Sequence, residues 1–168
     1  MTDQPEASRR TTFVEPEIYY SRLATVHAAT GALITDPAGR VLIVKPNYRP
    51  HWLVPGGMVD DGERPDVACA RELKEELGLD LQIGRLLVVD WAPAYGSRSR
   101  PIIYFLFDGG TPHTLHLALQ HDELDDYAFV APVEAAARLS STVAARVPAA
   151  LAARASGTTI YLPTIAQE

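Results

Sequence analysis

Between Pro65 and Gly78 the chain reads PDVACARELKEELG, and this segment has the marks of a helix at both ends. Pro65 suits a first helical turn, where a missing N–H costs nothing. Asp66 suits the positive end of the helix dipole. Gly78 stands where a left-handed cap is expected. At about 100° per residue, Glu72, Glu75 and Glu76 share one face, while Val67, Ala70, Leu73 and Leu77 cluster roughly opposite. The expected helix is amphipathic, with its apolar side on a core and its carboxylates facing out. Three like charges at i, i+3 and i+4 repel one another by roughly a few tenths of a kcal/mol per pair. They also lie in the last turns, where the dipole prefers cations. Two readings follow: a solvated acidic face, or a face whose charge is compensated. The compensating charge would be a hard divalent cation with oxygen ligands, or the adjacent Arg71.

Composition sets the frame for those readings. The chain has 168 residues, 47% of them hydrophobic and 21% charged, the balance of an ordinary globular domain. The formal charge is −6. That disfavours sequence-independent binding of nucleic acid, which depends on phosphate contacts. A single cysteine, Cys69, precludes an internal disulfide and points to a reducing compartment. It sits among small residues as a packed hydrophobe. The first residues, MTDQPEASRR, hold no apolar run of the secretory kind. The apolar stretches 86–89 and 102–107 are too short to span a bilayer. These features predict a cytoplasmic protein with no membrane and no nucleic-acid partner.

Residues 1–20 are polar and are expected to be a flexible lead-in, followed by one domain over 21–168. Strand-like composition on either side of the turn Asp36–Gly39 predicts a hairpin over Ala24–Lys45. Further strands are expected at Arg85–Trp91, Pro101–Phe107, Leu115–Leu119 and Tyr127–Val130, with an acidic loop, HDELDD, before the last. An Ala-rich tail predicts helices at Pro132–Leu139 and Ser141–Ser156, the second kinked or split at Pro148. A small extra strand is expected within Thr158–Pro163. The mixture predicts an α+β domain whose sheet is covered on both faces by helices.

Residues 57–79, GMVDDGERPDVACARELKEELGL, carry a longer pattern: Gly57, five residues, Glu63, seven residues, then Arg71-Glu72-Leu73, Glu75-Glu76 and Gly78-Leu79. At residue frequencies near one in fifteen, seven identities at fixed spacing arise by chance about once in 10⁸ starts. This pattern resembles the Nudix box, and the resemblance extends over Leu23 to about Leu139. It implies an α/β/α sandwich with a mixed central sheet and a loop–helix–loop motif. It implies hydrolysis of a diphosphate bond in a nucleoside diphosphate linked to another group, with Mg²⁺ or Mn²⁺ as cofactor. It further implies that Glu72, Glu75 and Glu76 are metal ligands and that Glu63 and Arg71 pair to hold the loop on the helix. Gly57 would let the backbone approach metal and phosphates. A pyrophosphate repels anionic nucleophiles, so a metal that neutralises it and acidifies water suits this chemistry. Three glutamates without a nearby His or Cys pair fit a hard cation better than zinc. A non-hydrolytic nucleotide-sensing module on the same fold is the alternative, although such modules usually lose box carboxylates.

Outside the box, candidates for substrate contact are Trp52 beside His51, Tyr95 with Arg98 and Arg100, and Glu123 among the acids of HDELDD. Tyr48 and Arg49 lie in a loop that could reach phosphate, with a plain surface loop as the favoured reading. A nucleotide-type small molecule is the expected partner, and a homodimer is compatible with the resemblance.

Overall fold

The computed structural model describes residues 14–114 and 116–163. A short exposed helix, α1 (Pro16–Ser21), forms inside the expected lead-in. Residues 1–13 of that lead-in lie outside the described residues. Then follow β1 (His27–Leu33), β2 (Val41–Pro46), α2 (Pro65–Leu77), β3 (Leu86–Ala92), β4 (Ile102–Asp108), β5 (Leu124–Val130), α3 (Pro132–Arg138), α4 (Arg146–Ser156) and β6 (Ile160–Pro163).

Four strands form a mixed sheet in the order β1-β4-β3-β6. β1 runs parallel to β4, β4 antiparallel to β3, and β3 parallel to β6. β2 and β5 pair antiparallel as a second, two-stranded sheet. Strands buried on both faces feed two cores. Leu33, Val41 and Ile43 point into one core with Val147, Ala150 and Ala153 of α4. Their sequence neighbours Ile34, Leu42 and Val44 point into the other with Cys69, Leu73 and Leu77 of α2. Helices thus cover both sides of the sheet layer, as expected, and no helix among the described residues is long and apolar enough to cross a membrane.

Several expectations are corrected. The Ala24–Lys45 hairpin is reduced to its turn. Asp36 accepts the Ala38 and Arg40 amides at 3.0 and 2.8 Å, and only the bridge Thr35–Val41 joins the arms. The reason lies at the edges of β1. One edge is taken by β4, and the other by the loop 55–59: Thr30 N–H donates to Gly57 O (2.8 Å), Ala32 N–H to Pro55 O (3.0 Å) and Val59 N–H to Ala28 O (3.0 Å). β2 is left to pair elsewhere. The expected strand Leu115–Leu119 is irregular over 116–119, Leu115 itself lying outside the described residues. Its amides serve α2 instead, with Ala118 N–H on Leu77 O and Gln120 N–H on Glu76 O, both 2.9 Å. Helix-terminal carbonyls need such donors. The acidic loop is shorter than expected because β5 begins at Leu124. The kink at Pro148 is absent: α4 begins at Arg146, so Pro148 falls in the first turn, where its lost N–H breaks no helical bond.

Candidate active site

α2 builds the floor of the site. Gly78 closes it at φ 66°, with cap N–H bonds to Leu73 O and Lys74 O, which is the left-handed termination that glycine permits. The buried stripe differs from the expected one. Val67 is 48% exposed, while Ala68, Cys69, Leu73, Glu76 and Leu77 are buried. Glu76 lies seven residues after Cys69 and three after Leu73, so helical periodicity places it on the buried stripe as well as beside Glu72. It is 7% exposed and accepts the Gly56 amide at 3.0 Å. Burial, reinforced by Glu72, Glu123 and Glu75, pushes its carboxyl up to about 7 against the pull of that amide. Burial also raises Glu72, although the Arg71 guanidinium opposes it.

Arg71 gathers the remaining acids. Its Nε donates to Glu63 Oε1 at 3.2 Å and its Nη2 to Glu63 Oε2 at 3.0 Å, the two-pronged geometry that favours arginine. Nη1 donates to Glu72 (3.0 Å) and Glu75 (3.1 Å), and Nη2 also to Met58 O (3.0 Å). The Glu63 carboxyl is held below its ordinary range by Arg71. One guanidinium therefore joins the loop, through Met58 and Glu63, to the helix, through Glu72 and Glu75. The pairing of Glu63 with Arg71 is as expected.

The loop meets the helix at two glycines. A Cβ on Gly57 would fall 2.5 Å from both Glu72 carboxylate oxygens. Gly56 has φ +137°, and a Cβ there would run into the Thr30 carbonyl and the Gly31 Cα of β1. Only glycine lets this backbone lie between strand and carboxylate.

Together these groups line an open cleft of about 410 Å³, formed by Tyr48, Gly56, Gly57, Met58, Arg71, Glu72, Glu75, Glu76, Gln120 and Glu123. Of the acids in HDELDD, Glu123 is the one at the cleft. Four carboxylates face one arginine there, and no His or Cys is among the lining residues. Among the described residues, no three His, Cys, Asp or Glu side chains converge into a ready metal cage. Mg²⁺ seldom requires one: it takes one or two carboxylates and completes its shell with water and substrate phosphate. The all-oxygen donor set suits such a cation.

Other sequence candidates stand apart. Trp52 packs on the core beside α4, under the Arg138 guanidinium at 5.2 Å. Tyr95 and Arg98 close a turn on each other, each amide donating to the other's carbonyl at 3.1 Å, and Arg98 Nη2 donates to Pro93 O at 2.5 Å. Tyr95 is 78% exposed, and neither residue lines the cleft. Cys69 is fully buried, and burial pushes its thiol up to about 12, so it is inert. Gln120 is a cleft residue that sequence reasoning left out, and Tyr48, for which a plain surface loop was the favoured reading, lines the cleft as well. Their placement depends on contacts between distant segments, and no local pattern marks them.

Comparison with known proteins agrees with this geometry. A family model described as the NUDIX domain matches residues 25–151. Diphosphoinositol polyphosphate phosphohydrolase 3-alpha of Mus musculus is 43% identical over 49 residues, 29% of this chain and 30% of that protein. The 8-oxo-dGTP diphosphatase of Proteus vulgaris is 38% identical over 60 residues, 33% of this chain and 53% of that protein. The match thus spans only about a third to a half of these curated relatives. The MutT protein of Methanosarcina mazei Go1, at 21% identity, superposes with a TM-score of 0.64 over 80% of this chain and 96% of that one, which is a likeness of fold.

Proposed function

This chain belongs to the Nudix family, and on that premise we propose that it hydrolyses a diphosphate bond in a nucleoside diphosphate linked to another group, with Mg²⁺ or Mn²⁺ as cofactor. The observation that carries this reading is the convergence of Glu72, Glu75, Glu76 and Glu123 on one cleft against the Gly56–Gly57 backbone. Glu72, Glu75 and Glu76, with the Gly57 backbone, would hold the cation. A bound divalent cation neutralises phosphate oxygens and lowers the pKa of water. Arg71 fixes Glu72 and Glu75 in one orientation and couples them to the loop through Glu63. Glu123 is the cleft carboxylate outside both the Arg71 network and the cation ligands, which leaves it to accept the proton of the attacking water. Such a reaction needs chiefly positioning and charge neutralisation, and this cleft is built for both. We assign the activity to residues 21–168 acting as one domain, in the cytoplasm, on a small soluble substrate.

The test is hydrolysis, with Mg²⁺, of a panel of nucleoside triphosphates, ADP-ribose, nucleotide sugars and dinucleoside polyphosphates. The expected outcome is turnover of at least one class that stops in excess chelator. Turnover undiminished by chelator would overturn the metal assignment. A cation that binds without turnover of any substrate would favour a sensing role.

A further inference from the structure

Glu123 lines the cleft, yet among the described residues nothing donates a hydrogen bond to its carboxylate. The place of that carboxylate is therefore set by its backbone, which two elements hold. On one side, the Gln120 amide donates to the Glu76 carbonyl at the end of α2 (2.9 Å), and the Glu123 and Leu124 amides donate to Gln120 O at 3.3 and 3.0 Å, closing the turn. On the other side stands Asn47, just past β2. Its main-chain amide donates to Glu123 O at 2.9 Å, and its Nδ2 donates to Asp122 O at 2.8 Å. Lys45 Nζ braces the turn around Asn47, donating to Pro46 O at 2.9 Å and to Arg49 O at 2.6 Å.

The strand register explains why Asn47 meets Glu123 at all. β2 and β5 pair antiparallel with Lys45 opposite Asp126, a register that would continue to put Asn47 opposite Leu124. Pro46 has no N–H to give the ladder, and the register slips there: Pro46 faces Leu124, and Asp125 is left over. An extra residue of this kind re-aims the side chains beside it. Leu124 packs into the α2 core, Asp122, Asp125 and Asp126 stay exposed, and Glu123 comes to the cleft.

We propose that Asn47 is a positioning residue: its Nδ2 clamp on the Asp122 carbonyl fixes the Glu123 backbone, so that the carboxylate stands where it takes the proton of the attacking water. The inference rests on the diphosphate-hydrolase reading, with Glu123 as its base, and adds to it a residue outside the cleft lining. General-base catalysis needs the acceptor within hydrogen-bond reach of the water, and a displacement of about 1 Å can cost as much as a hundredfold in rate. A flexible side chain with no partner of its own keeps that reach only while its backbone stays in place. The effect belongs to kcat, since Asn47 does not line the cleft.

The experiment compares wild type, Asn47→Ala, Glu123→Gln and the double variant, as full-length proteins with Mg²⁺, on the best substrate of the panel. Alanine removes the Nδ2 donor and keeps the main-chain bond. Asn47→Ala should lower kcat about tenfold with KM unchanged, a part of the loss that misplacement can cause. Glu123→Gln should lower kcat by about a hundredfold or more. In the double variant the Asn47 substitution should cost nothing further, because a residue that acts through Glu123 then has nothing left to position. An equal loss in both backgrounds, a rise in KM alone, or an unchanged kcat in Asn47→Ala would each overturn the positioning role. Full turnover in Glu123→Gln would overturn that role together with Glu123 as the base, and leave the hydrolase standing. Amide hydrogen exchange is followed on the same proteins without substrate. Asn47→Ala should speed exchange at Glu123 and Leu124 and leave the mid-helix amides of α2 as in wild type. Unchanged exchange at those two amides would overturn the clamp whatever the turnover. Accelerated exchange there, with no turnover of any substrate by wild type, would overturn the hydrolase reading and leave the clamp standing.

Discussion

Glu76 shows how one side chain can serve two environments. It faces the cleft with Glu72 yet lies on the buried stripe of α2, and burial holds its carboxyl up to about 7. The sign of the stability effect follows. An acid whose folded pKa is raised binds more protons folded than unfolded, so its contribution is fully present below the unfolded pKa and is lost as pH rises through the folded one. Metal-free protein should therefore lose thermal stability between about pH 5 and pH 8, and Glu76→Gln should flatten that loss. Thermal melts in chelator measure it. A slope unchanged by the substitution would mean that Glu76 is ionised throughout. Divalent cation added at pH 8 should restore stability in wild type, because a ligand that binds only the folded state stabilises it.

The decisive element is the loop–helix unit rather than the helix alone. α2 supplies the carboxylates, but Gly56, Gly57, Met58 and Glu63 give them a wall and Arg71 a second anchor. Gly57→Ala tests that unit. Its Cβ would land on the Glu72 carboxylate, so Glu72 must move while the backbone φ stays permissible. The expected result is a folded protein, by circular dichroism, with kcat/KM reduced about a hundredfold, the scale seen when one preorganised group is displaced. Full activity would show that the Glu72 position is not critical. Helix periodicity and the end signals Pro65 and Gly78 made α2 and its cap legible in the sequence, because these contacts are local, and the Glu63–Arg71 pair followed from the resemblance to the Nudix box. The partner of β2, the irregular path of 116–119 and the cleft position of Tyr48 were not legible. Each is decided by which distant segment takes a strand edge or a free carbonyl. Trp52 misled for a related reason. Proximity to the box in sequence says nothing about which side of the sheet a large ring takes, and here the α4 side won.

On the scale of the molecule, the site occupies one side of the sheet and is stabilised from the other. Arg146, in the first turn of α4, donates to Asp90 of β3 at 2.7 Å and stacks 3.8 Å from the Tyr104 ring centroid. Asp90 is only 1% exposed. Removing one partner of a buried pair is far costlier than the pair's net worth. Arg146→Met should lower stability by about 3 kcal/mol, a fall in Tm of roughly 10 °C for a domain of this size. The kcat at 25 °C should stay unchanged, since neither group reaches the cleft. A loss of activity without a loss of stability would place this pair in the site's machinery. Arg154 anchors the other end of α4 in the same manner, with Nη2 donating to Leu33 O and Asp108 Oδ1, both at 2.6 Å. α4 is thus a brace across β1, β3 and β4, and the cleft depends on it only through the rigidity of the sheet.

The central claim is that carboxylates of α2, Glu76 foremost, run a metal-dependent diphosphate hydrolysis. It is met most directly by comparing wild type with Glu76→Gln on the best substrate of the panel, measuring turnover and substrate binding together. Glutamine keeps the side chain's size and its acceptor for the Gly56 amide while removing the charge. The account expects turnover to fall by about a hundredfold or more, with the substituted protein folded and still binding nucleotide. Turnover in Glu76→Gln equal to wild type would contradict it.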